Sequence, residues 1–271
     1  MLKRIVIGCF LFLFYNQLLA DWPIGKNRTT LIPTYTYFRS AKYFDSTGKV
    51  IGFGPGDHFT SNTFSLYFAH GLSRRLDLIV NLPYTSVSSS SNGVTQSKAG
   101  FGDAQIGFAL HFPLKDLKQF ITTKAIFIFP LYQNLKEPYL GFASKGIQLA
   151  ANYSFNPLPH TYLITEASYT RYFDEITGPN QFGYSITCGT MFLDYNYISA
   201  NLSGVISSSS DKGFNTNLLV NKDFSYGKIS LAYGRKIFRN ITPYIQGFYT
   251  IYGKNAGVGY GASLFAIIKL P

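Results

Sequence analysis

The chain has 271 residues, a formal net charge of +11 and an aromatic content of 17%. That length fits one domain, and a charge of this size raises nucleic acid as a partner. No recognition helix, zinc-knuckle spacing or RNP-like stretch accompanies the charge, so a nucleic-acid partner is set aside.

Residues 1–20 read as a cleavable signal peptide. Lys3 and Arg4 form the basic part, 5–15 the apolar part, and Leu18 and Ala20 precede a cut before Asp21. Val6-Ile7-Gly8-Cys9 looks like a lipoprotein box, but it starts too soon after Arg4 to follow an apolar segment. Losing the leader lowers the net charge from +11 to +9 and leaves one domain, 21–271. Cys188 is then the only cysteine, so no intramolecular disulfide forms and barrel closure must stand in for one. It shares the apolar phase of Phe182, Tyr184 and Ile186, which reads as a lipid-facing or packed hydrophobe rather than a nucleophile.

Beyond residue 20 no apolar run is long enough to cross a membrane as a helix. Apolar and polar residues alternate instead, as in Leu76, Leu78, Val80, Leu82 and Tyr84, or Ala104, Ile106, Phe108, Leu110 and Phe112. A period of two gives each segment one greasy face and one polar or small face. In chain order the strands fall at 28–40, 59–71, 74–86, 101–114, 118–131, 145–156, 160–173, 181–193, 196–207, 214–222, 227–238, 241–252 and 257–269. A bacterial single-chain barrel has an even number of strands. The short segment 214–222 is the weakest, and dropping it leaves twelve, with fourteen as the alternative. The predicted fold is therefore all-β: a transmembrane antiparallel up-and-down β-barrel.

Short turns are predicted near Gly71-Leu72-Ser73-Arg74, Pro113-Leu114-Lys115-Asp116, Asn156-Pro157-Leu158-Pro159 and Leu193-Asp194-Tyr195-Asn196. Longer connections span 41–58, 87–100 and 132–144. Short turns belong on the periplasmic side and long loops outside. The stretch 88–91, all serine, reads as a solvent loop, and the apolar loop 41–58 as a plug or constriction. Tyr35, Tyr37, Tyr84, Tyr153, Tyr169, Tyr172 and Tyr249 are candidates for the interfacial girdles. Many cations sit at turns, including Arg74, Arg75, Lys115, Lys118, Lys236 and Arg239, where contact with lipid head groups is their first use and selection of anionic solutes the second.

The polar phase assigns a set of residues to the lumen: Asp103, Gln105, His111, Lys124 and Glu166 foremost, with Asp77, Asn81, Gln148, Asn152, Ser168, Asn201, Asn217, Lys228 and Lys236. A lysine on the lipid face costs roughly 2–4 kcal/mol near the midplane, which drives Lys124 inward. Gly100, Gly102 and Asp103 form a candidate strand-start turn, in which the glycines permit a bulge or tight bend and Asp103 caps it or contacts solute.

Gly100-Phe101-Gly102-Asp103 runs into Ala104-Gln105-Ile106-Gly107-Phe108. It follows Gly71-Leu72-Ser73-Arg74-Arg75-Leu76-Asp77-Leu78 and Asn81-Leu82-Pro83-Tyr84, with Gly253-Lys254-Asn255-Ala256-Gly257 near the end. This layout resembles the outer-membrane transporter family named for the meta-pathway of phenol degradation (the MetA-pathway-type β-barrel). The resemblance covers most of the chain after residue 20. It implies about a dozen strands and passage of small hydrophobic or aromatic solutes. One departure is the terminus, Ile268-Lys269-Leu270-Pro271, where such barrels carry an aromatic for the assembly machinery; Phe265 could serve, or extra residues could follow the last strand.

No metal spacing, phosphate-binding loop or Gly-x-Ser-x-Gly elbow is present, and neither a metal nor a cofactor is expected. An outer-membrane lipid hydrolase needs a paired Ser and His, and Ser91 and His70 should lie too far apart to meet. The leading reading is passive passage of small solutes, ahead of a structural or adhesive barrel and of the hydrolase. Expected partners are outer-membrane lipid and lipopolysaccharide, the barrel assembly machinery and the solute.

Overall fold

The computed structural model describes residues 22–271, apart from 92, 116, 136, 137, 174–177 and 216. The predicted signal peptide, 1–20, lies outside the described residues. Among the described residues fourteen strands form one sheet: β1 (Thr29–Phe44), β2 (Val50–Gly52), β3 (His58–Gly71), β4 (Leu76–Ser91), β5 (Val94–Phe101), β6 (Asp103–Leu114) and β7 (Gln119–Pro130) lead. β8 (Gly146–Phe155), β9 (Thr161–Tyr172), β10 (Asn180–Phe192), β11 (Asn196–Ser208), β12 (Phe224–Arg235), β13 (Ile241–Lys254) and β14 (Ala256–Leu270) follow.

Pairing is antiparallel throughout, between successive strands except that β1 also pairs β3 and β4 also pairs β6, and β14 returns to β1 from Thr29↔Leu270 to Phe44↔Ala256. The ring therefore closes and leaves no long open edge, which is what a sheet needs to cross lipid. Two of the strands are not separate staves. β2 pairs the upper end of β1 where β3 pairs the rest, and β5 pairs the upper end of β4 where β6 pairs the rest. Twelve staves make the wall. The segment 214–222 is no strand: it carries a 3₁₀ turn, Leu218–Val220, capped by Asn217.

Alternation sorts the faces. On β6, Ile106, Phe108, Leu110 and Phe112 are exposed, whereas Gly107, Ala109 and His111 between them are buried. Phe64, Phe127, Leu149, Phe182, Ile186, Leu231, Ile245 and Leu264 continue the exposed apolar belt around the wall. A continuous apolar belt of this kind suits acyl chains. Cys188 stands exposed on this face, as do Tyr35, Tyr84, Tyr169 and Tyr249. Tyr172 does not join the girdle. It is buried inside, edge-on to Phe142 with ring centroids 5.1 Å apart.

The short connections gather at one end, between β3 and β4, β6 and β7, β8 and β9, β10 and β11, and β12 and β13. The other end carries the longer ones, except that Asn255 alone joins β13 to β14, at φ 49°. The serines predicted as loop instead extend β4, paired Ser88↔Ser97 and Ser90↔Thr95 in a hairpin that rises past the wall.

Candidate functional site

The barrel interior is the candidate site. Five residues singled out in the sequence, Asp103, Gln105, His111, Lys124 and Glu166, all fall on the inward phase of β6, β7 or β9. They do not form one cluster. Near the short-turn end, His111 Nε2 donates to Asp77 Oδ2 at 2.8 Å. The hydroxyl of Thr122 meets His111 Nδ1 at 2.9 Å. A carboxylate only accepts, so Nε2 carries the hydrogen, and in the neutral imidazole Nδ1 receives the Thr122 hydroxyl. Asp–His–Thr has the connectivity of a nucleophilic triad, but Thr122 is 0% exposed and no substrate reaches it. The trio is structural.

Its work is to hold the start of the described chain. Asp77 Oδ2 also accepts the Ile24 backbone N–H at 3.0 Å. Asn27 N–H donates to the Gly71 carbonyl at 2.7 Å, and Gly71 N–H to the Arg28 carbonyl at 2.9 Å. A Cβ on Gly71 would collide with the Gly25 backbone, so only glycine lets the segment lie this close. Ile24 packs on Ala69, Ile79 and Ile126, and the Trp22 ring meets Phe120 at 4.9 Å. Residues 22–28 thus occupy the short-turn mouth of the lumen.

At mid-depth Lys124 Nζ donates to Glu166 Oε2 at 3.1 Å. The two strands are not neighbours. β8 lies between them, and the small Ala150, which pairs with both Lys124 and Ser168, leaves room for the reach.

At the loop end the wall turns apolar inward. Phe59, Val87 and Leu140 form a buried cluster, with Phe38, Phe53, Tyr132, Leu218 and Leu219 against it. The constriction expected from 41–58 is therefore built mainly by two other loops, 131–145 and 209–223. Phe53 is the only contributor to that cluster from 41–58. The two loops are tied together where Asn217 Nδ2 donates to the Tyr139 carbonyl at 2.8 Å. Asn217 was expected on a strand facing the lumen and caps the 3₁₀ turn instead. Lys236, expected likewise, lies past the end of β12.

Asp103 stands beneath this cap and receives a hydrogen bond from the Tyr132 hydroxyl. That hydroxyl in turn accepts the Ala143 N–H at 3.0 Å. Burial, together with the Asp103 charge, drives the Tyr132 phenol far above its ordinary value, so it remains a donor. Gly102 separates β5 from β6, its N–H donating to the Pro83 carbonyl at 2.9 Å. Gly100 and Gly102 give closeness rather than a left-handed turn: a Cβ on Gly100 would sit 3.0 Å from Leu140, and one on Gly102 3.2 Å from Pro83. Gln105 is half-buried, one inward step below Asp103.

A second cluster lies at the outer rim. Asp223 accepts from Lys212 at 2.6 Å and Lys254 at 2.9 Å. Burial acts to raise its carboxyl, and the two ammonium groups outweigh this and hold it below the ordinary carboxylate value. Tyr43 stacks between Phe53 at 5.4 Å and Phe214 at 4.5 Å, beside an open pocket of ≈ 460 Å³.

Sequence alternation put Asp103, Gln105, His111, Lys124 and Glu166 on the inward phase that the strands give them, but did not show the apolar interior. Its signal was present: Ile126-Phe127-Ile128-Phe129 is apolar on both faces, which a water-lined stave does not require. Among the described residues no group of His, Cys, Asp and Glu is placed to hold a metal.

A closed, twelve-stave antiparallel wall with an apolar belt and a polar, partly filled interior defines the chain as an outer-membrane-type β-barrel. Its fold is similar to that of an outer membrane channel from Pseudomonas putida F1, with a TM-score of 0.77 at 13% identity, covering 94% of this chain and 100% of that one. It is also similar to the NanC porin, at TM-score 0.57 and 10% identity over 89% of this chain and 100% of that one. The translocator domain of the autotransporter NalP from Neisseria meningitidis superposes at TM-score 0.52 and 10% identity, over 90% of this chain and 88% of that one. No protein-family model matches the chain, and no curated protein matches its sequence. The meta-pathway resemblance thus rests on the motifs quoted above.

Proposed function

We propose that the protein is a channel of the bacterial outer membrane for passive passage of small solutes, resting closed. The observation that supports this most directly is the interior. Its polar groups pair along the wall, as Lys124 does with Glu166 two strands away, and segments tethered through hydrogen bonds lie in both mouths. A barrel serving only as a pin or adhesin has no need of a polar lumen with removable ends. The short turns then face the periplasm and the long loops the outside. The motif resemblance and the apolar cap at Phe59, Val87, Leu140 and Leu218 both favour hydrophobic or aromatic solutes. The likeness to the Pseudomonas putida channel agrees with the channel reading.

The test is single-channel recording of the refolded, heat-modifiable barrel in a planar bilayer. Small, intermittent steps in the wild type and larger, sustained steps after Leu140→Ser and Leu218→Ser are expected. A folded barrel that stays silent in both forms sinks the channel reading and favours a structural or adhesive role.

A further inference from the structure

The short-turn half of the lumen contains a cavity of ≈ 280 Å³ against strands β9 to β14, away from the Asp77–His111 pair. Tyr162, Tyr197, Tyr244 and Phe265 bring four rings to it. Tyr244 and Phe265, paired across β13 and β14, stack at 4.9 Å with 4° between their planes. Tyr197 leans toward Tyr244 at 6.1 Å and 41°. These rings have room because glycines oppose them. Tyr244 pairs with Gly234 and Tyr162 with Gly189, and a Cβ on either glycine would run into the ring. Each ring leans over the neighbouring strand instead of crossing the lumen, which leaves the cavity open beside an aromatic platform.

The polar lining is neutral, with Thr187, Ser199, Asn201 and Gln246 supplying hydroxyls and amides. Among the described residues that line the cavity, Lys269 carries the one charge, and no carboxylate is present. An aromatic platform with neutral hydrogen-bonding groups and a lysine matches a ring that carries one anion. The volume lies just below the roughly 300–1,000 Å³ typical of pockets for drug-sized ligands, which suits a single substituted ring.

We propose that this cavity is a solute subsite for monocyclic carboxylates. The ring lies against Tyr244 and Phe265, and the carboxylate is held by Lys269. The proposal rests on the channel reading and narrows its solute class.

Benzoate is the probe, with its uncharged counterpart benzamide as comparator. Binding to the full folded barrel in bicelles is followed by saturation-transfer NMR and titration, so it needs no conductance. The wild type should bind benzoate saturably. Lys269→Gln should weaken benzoate about tenfold or more and leave benzamide unchanged, because a hydrogen bond to a charged partner is lost. Tyr244→Leu should weaken both ligands, and Phe265→Leu replaces it if that barrel does not fold. Benzoate binding that never saturates, or that ignores Lys269→Gln, overturns the subsite. A conducting barrel with no benzoate site keeps the channel and loses the subsite. A silent barrel with Lys269-dependent binding does the reverse.

Discussion

Asp77 draws three separate parts of the chain together at one carboxylate oxygen: Ile24 from the start, His111 from β6 and its own strand. Asp77→Ala leaves a half-buried backbone N–H and a buried imidazole without this acceptor, the buried imidazole alone at about 1–3 kcal/mol. The result expected is release of residues 22–28 from the mouth while the wall persists. Trp22 is the sole tryptophan, so its emission reports the event. A red shift with easier acrylamide quenching is expected, and an unchanged spectrum would show that the segment stays in place without Asp77. Lys124 gives a different test. Lys124→Glu would set two carboxylates where an ion pair stood at 3.1 Å. The open pore should turn toward cations, and unchanged selectivity at equal conductance counts against a solute-facing Lys124. The inward phase of both residues was legible in the sequence from alternation alone. Their partners were not, because contacts such as Asp77 to Ile24 bridge 53 positions and obey no period.

At the level of elements, twelve staves could be read because outward residues alternate so regularly. The misreadings have local causes. Serine is a poor guide to strands, so 88–91 looked like loop. In the fold 88–90 are paired on both sides, to β3 and to β5, Ser91 pairs with β5, and Ser97 Oγ donates to Ser88 Oγ at 3.0 Å. The stretch 214–222 has strand-like apolar spacing, but Leu218 and Leu219 point their apolar surface into the loop-end cap rather than into lipid. That loop is secured by Asp223, which bridges Lys212 on its own loop and Lys254 at the end of β13. The Asp223 carboxyl lies below its ordinary value of 3.8 in the folded barrel. Its contribution is therefore complete above 3.8 and fades as pH falls through the lower folded value. Bilayer recordings should keep the small, intermittent steps of the wild type from neutral pH down to the ordinary value, with extra flicker rising only below it. Asp223→Asn should flicker already at pH 7. Flicker that sets in well above 3.8, or an Asn variant as quiet as the wild type, would count against the latch.

Across the whole molecule, charge is distributed unequally between the two ends. At the loop end, acids and bases share the surface and pair, as Asp223 does with Lys212 and Lys254. At the short-turn end, Arg74, Arg75, Lys115, Lys118, Arg235 and Arg239 are exposed, with Asp194 the exposed acid among the described residues there. Apolar tips stand among these cations: Leu117 is 62% exposed, Leu193 78% and Phe238 62%. Solvent-facing turns gain nothing from bare leucine and phenylalanine. A head-group layer accommodates both, because the apolar tips enter the acyl boundary while the cations meet phosphate. The periplasmic leaflet is the surface that this end would meet, so anionic phospholipid is the partner proposed for it. Each cation near such a surface is worth about 1 kcal/mol. Removing four of them with Arg74→Gln, Arg75→Gln, Lys115→Gln and Lys118→Gln should lower the unfolding temperature in phosphatidylglycerol vesicles and leave it unaltered in phosphatidylcholine. Raising salt should erase the difference, since the interaction decays within a Debye length of about 10 Å at 0.1 M. Equal loss in both lipids would assign these cations to the turns themselves.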